Sequence, residues 1–297
     1  MPVPENRLDE AVERVRLRSL LFVPADRPDR FAKAAASGAD ALILDLEDSV
    51  TPERKTQGRD AIATWLAQPR AIPVFVRVNP LDTGLTRADL DAVLPGRPDG
   101  LVLPKAEGAA SVRALLAMAR ETMPPILPIA TETPAAIFQL GGYGEVAAHL
   151  AGLTWGAEDL PASIGAATSR EEDGRYTPPY EMVRSLTLFG AHGAGVEAIE
   201  TVFPRIDDMQ ALAAYVARAR SDGFTGMMAI HPAQVATVNA GFTPSDAEIA
   251  HARMVIEAFA AAPDAGALRL NGRMIDRPHL IQAQRLLARA AALPPVP

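Results

Sequence analysis

The chain has 297 residues, 48% hydrophobic and 22% charged, with a formal net charge of −7 and no cysteine. That is globular composition with material for a large core, and it excludes disulfides, thiolate metal sites and a cysteine nucleophile. The acidic balance and the lack of a dense Lys/Arg run argue against nucleic acid as a partner, and no stretch of about 18 apolar residues is present to span a membrane.

The opening stretch, MPVPENRLDEAVERVRLRS, carries acidic residues and no apolar core, so it does not read as a secretory signal, and the cytoplasm is the expected compartment. Strand-like apolar runs then recur: RSLLFVPA (18–25), ALILDLED (41–48), VFVRVNP (74–80), GLVLPKAE (100–107), PILPIATET (125–133), GLTWGAEDL (152–160), VEAIETVF (196–203) and GMMAIHP (226–232). Ala/Leu/Arg-rich segments with helical spacing lie between them. Thr51-Pro52 and Thr133-Pro134 read as N-cap followed by first helical residue, and Gly38 and Gly223 as residues just past helix ends. The longest irregular stretch, 161–179, follows the sixth run, and a loop of that length in a compact domain is often functional.

Strands alternating with helices at a spacing of about 30 residues predict a parallel sheet, and eight units predict a closed (β/α)8 TIM barrel over residues 1–240. No G-x-G-x-x-G follows a strand, which weakens a dinucleotide-binding fold. Residues 241–297 predict a C-terminal helical and hairpin extension: a helix in SDAEIAHARMVIEAFAAA, a hairpin in ALRLNGRMID turning at Asn271-Gly272, and a last helix in RPHLIQAQRLLARAAAL. This extension is not needed to close a barrel, and is expected to pack on a neighbouring subunit.

Polar groups gather at the C-terminal ends of the runs, where a barrel of this kind carries its active site. In chain order they are Asp26 and Arg27; Asp45, Glu47 and Asp48; Arg77 and Asn79; Lys105 and Glu107; Glu132; Glu158 and Asp159; Glu200; His231. Alternation puts Asp45 and Glu47 on the inner face and Leu44 and Leu46 on the outer one. So many carboxylates need cations. Arg77 and Lys105 are two, and a hard divalent metal with oxygen ligands is the natural third. Glu132 and Asp159, on neighbouring strands five and six, are the candidate metal ligands, with only one of Glu158 and Asp159 expected to point inward. Asp45 and Glu47 read as holders of Arg77 and Lys105. Each residue also has a structural alternative: Arg77 as a bridge to Asp45 or Glu47, Glu132 as a counter-charge to Lys105, Asp159 as a turn cap, His231 as a hydrogen-bonded strand end, Asp48 as an exposed loop start. Arg27, Arg30 and Lys33 fit either phosphates or a solvated helix face. A Schiff-base lysine is disfavoured, because acidic neighbours raise the Lys105 pKa. Glycine-poor loops after strands seven and eight argue against a sugar-phosphate aldolase.

At these residues the chain resembles the citrate lyase beta subunit-like proteins of the HpcH/HpaI aldolase/citrate lyase superfamily. The matching segments are RSLLFVPADRPDRFAKAAASGADALILDLEDSV, VFVRVNP, GLVLPKAEG, TWGAEDLPASIGA, GFTGMMAIHPAQV and NGRMIDRP, in order from about residue 18 to 290. The resemblance implies a Mg2+-dependent carbon–carbon lyase that cleaves or forms a hydroxyacyl-CoA, of the malyl-, citramalyl- or citryl-CoA type, with acetyl-CoA and a 2-oxo acid as partners. It implies Arg77 on the substrate carboxylate, Glu132 and Asp159 on the metal, and Asp276 of MID as the acid/base residue, supplied across a subunit interface in a homotrimer or hexamer. Lys105 is expected beside the substrate. Asp276 before Arg277-Pro278 is equally placed to cap a helix. A thioesterase on the same acyl-CoA, and a citrate lyase subunit taking its substrate on an acyl carrier protein, are the alternative activities. Two positions depart from the family pattern: Ala25, commonly Gly in relatives, which would narrow the fit of CoA, and Glu200, often Asp, which would add a methylene near the mouth.

Overall fold

The computed structural model describes residues 17–119 and 122–292; the N-terminal stretch read above as non-secretory lies outside the described residues up to Arg16. Contacts divide the chain into a barrel unit, Leu17–Phe242, and a C-terminal unit that begins at Thr243.

In the barrel unit β1 (Ser19–Pro24), β2 (Ala41–Asp45), β3 (Val74–Arg77), β4 (Gly100–Leu103), β5 (Ile126–Pro128), β6 (Gly152–Thr154), β7 (Glu197–Glu200) and β8 (Gly226–Ala229) form one parallel sheet. β1 pairs with both β2 and β8, and the remaining gap is closed by parallel bridges Ile126–Leu150 and Ile129–Thr154. The helices between them are α1 (Phe31–Ala35), α2 (Lys55–Leu66), α3 (Thr86–Val93), α4 (Ala109–Met118), α5 (Pro134–Ile137), α6 (Asp159–Ile164), α7 (Pro178–Ala194), α8 (Met209–Asp222) and α9 (Pro232–Phe242). This is the expected (β/α)8 barrel. The strands are shorter than the apolar runs: charged groups stand on the last strand residues, as Asp45 and Arg77 do, or in the loops just past them, as Glu47, Lys105 and Glu132 do.

Alternation along the strands sorts the core into two layers. Leu20, Ile43, Phe75, Val102, Leu127 and Met228 pack inside the barrel. Leu21, Leu42, Leu44, Val76, Leu101 and Leu153 pack outward in the layer shared with the helices. Each fully buried leucine contributes roughly 1.5–3 kcal/mol of transfer free energy. Thr133 caps α5, its hydroxyl accepting from Ala136 N–H at 3.2 Å, and Gly223 ends α8 in the left-handed conformation, as their sequence positions imply.

The C-terminal unit holds α10 (Asp246–Ala261), β9 (Ala267–Leu270), β10 (Arg273–Asp276) and α11 (Arg277–Ala291). Ser245 and Glu248 form a capping box at the start of α10. The hairpin turns at Asn271 and Gly272, both at positive φ (49° and 81°), the backbone a two-residue turn requires. Val255, Phe259, Ile275 and Ala283 form its own small core. Among the described residues no helix is long and apolar enough to cross a membrane.

Candidate active site

Asp45 and Arg77 are the last residues of β2 and β3 and stand opposite each other in register. Both face inward. Arg77 donates from Nε and Nη2 to the two Asp45 oxygens at 2.6 and 2.7 Å, the fork geometry that lysine cannot make. Asp45 also accepts from Glu47 N–H at 2.9 Å and Ser49 N–H at 3.2 Å, which folds the following loop back over the strand end. Burial pushes the Asp45 carboxyl up, but the Arg77 charge and its hydrogen bonds outweigh burial and hold it below the usual range. Arg77 Nη1 lies 2.8 Å from Glu47 Oε2, and the guanidinium sits 4.9 Å from the Phe22 ring centroid. Of its five N–H groups two bind Asp45; Glu47 Oε2 accepts no hydrogen bond, so the Nη1 contact is one of charge and the other N–H groups are left for a ligand.

Glu47 bridges to the next strand end. Its Oε1 accepts from Lys105 Nζ at 2.7 Å, and the same ammonium lies 3.4 Å from Asp159 Oδ1. Burial works against the Lys105 ammonium, yet the Glu47 hydrogen bond and charge raise its pKa, so it stays charged. The Glu47 carboxyl itself is raised, burial outweighing Arg77 and Lys105. Lys105 has a left-handed backbone (φ 49°), a conformation that costs a non-glycine residue roughly 1 kcal/mol. Its N–H donates to Glu132 Oε2 at 2.6 Å.

Glu132 follows β5 and is 3% exposed. Burial pushes its carboxyl up to about 8; the Glu47 and Asp159 charges add to this, while Lys105 N–H and the Arg77 charge oppose it. With Oε2 taken by Lys105, no described residue donates to Oε1. A methyl group on Gly156 would fall 2.7 Å from Glu132 Cγ and 3.0 Å from Oε1, so only glycine leaves room for this carboxylate. Thr131 Oγ1 accepts from Gly156 N–H at 3.0 Å and donates to Gly156 O at 3.2 Å, tying the β5 and β6 loops together. Asp159 opens α6 from the β6 loop.

Arg77, Glu132 and Asp159 line one cavity of about 310 Å³ at the C-terminal ends of the strands. Its inner wall is apolar (Phe22, Ile129, Met228, Val202) and its rim carries Asp48 and Glu158. Among the described residues no group of three or more His, Asp or Glu is arranged to hold a metal. Two carboxylates, one with an oxygen to which no described residue donates, opening onto a space that admits water suit a hard divalent cation that keeps water ligands, and do not suit a closed tetrahedral site.

The structure therefore brings together Asp45, Glu47, Arg77, Lys105, Glu132 and Asp159. Glu158, exposed, and Asp159, half-buried, both line the cavity. Several other members of the predicted ring are elsewhere. Glu200 points outward: Oε1 accepts from Trp155 Nε1 at 2.5 Å and Thr201 N–H at 2.9 Å, and Oε2 from Arg184 Nε at 2.7 Å, so its extra methylene does not enter the mouth. Asn79 is buried on Asp89, whose Oδ2 accepts from its Nδ2 at 2.7 Å. Asp26 pairs with Arg54, Arg27 with Asp29, and Glu107 accepts from Thr133 Oγ1. His231 Nδ1 accepts from Ala233 N–H at 3.2 Å at the start of α9, a strand-end role. Arg30 and Lys33 are exposed, just before α1 and on it. The Ala25 methyl is buried against Gly58 of α2 and does not line the cavity. In the C-terminal unit Asp276 caps α11; its Oδ1 lies 2.5 Å from His279 Nδ1. Ser49, Thr131, Gly156 and Thr201 were missed. DLEDS, with a hydroxyl four residues after Asp45, is the one signal that pointed to any of them.

The model of the HpcH/HpaI aldolase/citrate lyase family matches residues 18–232. The citrate lyase subunit beta-like protein of Mycobacterium tuberculosis is 36% identical over 276 residues, covering 91% of this chain and 94% of its own. The (3S)-malyl-CoA thioesterase of Cereibacter sphaeroides is 33% identical over 285 residues, covering 93% and 95%. The crystal structure of CitE from M. tuberculosis in complex with magnesium, acetoacetate and coenzyme A matches with a TM-score of 0.80 and 36% identity over 94% of this chain and 99% of that one. The chain belongs to the HpcH/HpaI aldolase/citrate lyase family.

Proposed function

We propose that the barrel mouth is the active site of a Mg2+-dependent carbon–carbon lyase acting on a hydroxyacyl-CoA thioester, with acetyl-CoA and a 2-oxo acid as the cleaved pair. The observation that carries this reading is Glu132: a buried carboxylate with one bare oxygen, beside Asp159 and across the cavity from a pre-oriented Arg77. The relative crystallised with magnesium, acetoacetate and coenzyme A supports the same choice of metal and ligand.

In this reading Glu132 and Asp159 hold Mg2+, which when bound acts as a Lewis acid on the substrate oxygen that changes between hydroxyl and carbonyl. Arg77 N–H groups not used by Asp45 bind the substrate carboxylate, and Asp45 and Glu47 keep the guanidinium from turning. Lys105 holds positive charge at the rim and presents Glu132 in a fixed orientation through its N–H. Asp276, carried by the C-terminal unit of a homo-oligomer, exchanges the proton on the thioester methyl carbon. A carboxylate does this with a raised pKa or against a well-stabilised enolate.

The second reading, a thioesterase at the same site, is favoured by one observation, the 33% identity to a malyl-CoA thioesterase. Incubation with malyl-, citramalyl- and citryl-CoA, with and without Mg2+, separates the two. Acetyl-CoA with 2-oxo acid establishes the lyase, and free CoA with intact hydroxy acid establishes the thioesterase. Turnover only on an acyl-carrier-protein thioester makes the chain a citrate lyase-type subunit. No metal-dependent product from any of them removes the proposal.

A further inference from the structure

Asp276 ends β10 and caps α11, and His279 is the other half of that capping box. Glutamate or glutamine is the usual residue at this place, where a side-chain oxygen accepts the N-cap N–H. Here an imidazole fills it. Asp276 N–H lies 3.2 Å from His279 Nδ1, but Asp276 Oδ1 lies closer, at 2.5 Å. A ring nitrogen and a carboxylate oxygen at that separation share one proton. When Asp276 is ionised the proton is on Nδ1, and the imidazole donates to Oδ1. A glutamate in the same place could only repel the carboxylate. The ring is itself placed by the neighbouring helix: with Glu248, His251 and Val255 of α10 it lines the groove between α10 and α11. The Asp276 and His279 side chains are 41% and 49% exposed, so the carboxylate is open to a substrate. Of its roughly four lone-pair sites, the His279 ring and the capped N–H take two.

We propose that His279 is a positioning residue for the reaction: its Nδ1–H fixes the Asp276 carboxylate in one orientation and leaves the remaining lone pairs for the proton of the thioester methyl group. The proposal rests on the reading of Asp276 as the group that exchanges that proton. In the step, a C–H bond of the methyl group breaks, its electron pair passes into the enolate, and an Asp276 oxygen gains the proton. A carboxylate at an exposed helix start turns about its side-chain bonds. A charge-assisted N–H···O bond from a ring packed beside α10 removes that freedom before the thioester arrives.

The test is deuterium uptake from D2O into the methyl group of acetyl-CoA, followed by NMR, with the full chain, Mg2+ and oxalate as an unreactive stand-in for the 2-oxo acid. His279→Leu is expected to slow the maximal exchange rate roughly tenfold or more while the half-saturating acetyl-CoA concentration stays the same. His279→Asn, which keeps an N–H donor near the place of Nδ1, is expected to restore most of that rate. The double variant with Asp276→Asn is expected to exchange no more slowly than Asp276→Asn alone, because His279 acts only through Asp276. Exchange at the full rate in His279→Leu, with Asp276→Asn inactive, overturns the role of His279 and leaves that of Asp276 standing. Equal loss in His279→Leu and His279→Asn, or a double variant slower than Asp276→Asn, overturns it as well, since the ring then serves the helix or another group. Undiminished exchange in Asp276→Asn, or none in the unaltered protein, overturns the reading of Asp276 and the role of His279 with it.

Discussion

Two buried charge clusters stand on opposite faces of the same barrel wall, and they are built to different rules. Behind β7, Glu200 has both oxygens occupied by Trp155, Thr201 and Arg184, and Arg184 donates onward from Nη1 to Asp222 at 2.6 Å. At the mouth, Glu132 has one oxygen on Lys105 N–H, the other bare, and a carboxyl pushed up to about 8. The first cluster balances its charges with groups of the chain itself. The second is short of positive charge, and a site short of positive charge is one that a cation and its ligand complete. Burial alone therefore does not separate structural from functional carboxylates; the count of satisfied oxygens does.

The contrast can be broken by substitution. Glu132→Gln removes an anionic ligand while keeping the shape, and turnover is expected to fall on the order of a thousandfold. Thermal stability without metal at pH 8 should hold or rise. A large fall in melting temperature instead would place Glu132 with the structural cluster. Glu200→Ala is expected to do the opposite, costing about 3 kcal/mol of stability by taking away one of the two carboxylates of the buried Arg184 and leaving Trp155 Nε1 without its acceptor. Denaturant unfolding reads this directly, and a cost under about 1 kcal/mol would dissolve the comparison.

Asp276→Asn sharpens the assignment in the C-terminal unit. Asparagine caps a helix about as well as aspartate, so stability should change by only a few tenths of a kcal/mol. Turnover should fall on the order of a hundredfold if the carboxylate exchanges a proton. Full activity in Asp276→Asn would leave the cap as its whole role.

The smallest expected effect is on pH dependence. A carboxyl raised from its ordinary 4.5 to about 8 is protonated in the folded chain over a range where the unfolded chain has released the proton. The folded state then binds more protons, so Glu132 makes the metal-free protein less stable as pH rises from about 4.5 to about 8. Mg2+ takes the place of that proton. Its stabilising shift in melting temperature should therefore be larger at pH 8 than at pH 6, and an equal shift at both would argue that the metal does not bind at Glu132.

Much of this was legible in the sequence because two signals are local. Eight apolar runs spaced by helical segments lead to one parallel barrel, and a period of two puts Asp45 and Glu47 on the face opposite Leu44 and Leu46. The cap at Thr133 and the turn at Asn271-Gly272 depend only on neighbouring residues. The ring of charged strand ends was too generous. It counted Asn79 and Glu200, whose partners Asp89, Arg184 and Trp155 lie on other elements.

By itself, then, the sequence determined the fold class, the end of the barrel that carries charge, and the residue types at Arg77, Lys105, Glu132 and Asp159. Which carboxylate stays open was a tertiary decision. VEAIETV mixes apolar and polar residues on both faces, so its pattern contains no phase that could turn Glu200 inward or outward. Packing of Trp155 and Arg184 against β7 turned it out. The approach of Gly156 and of Lys105 N–H to Glu132, from two other loops, left one of its oxygens without a donor.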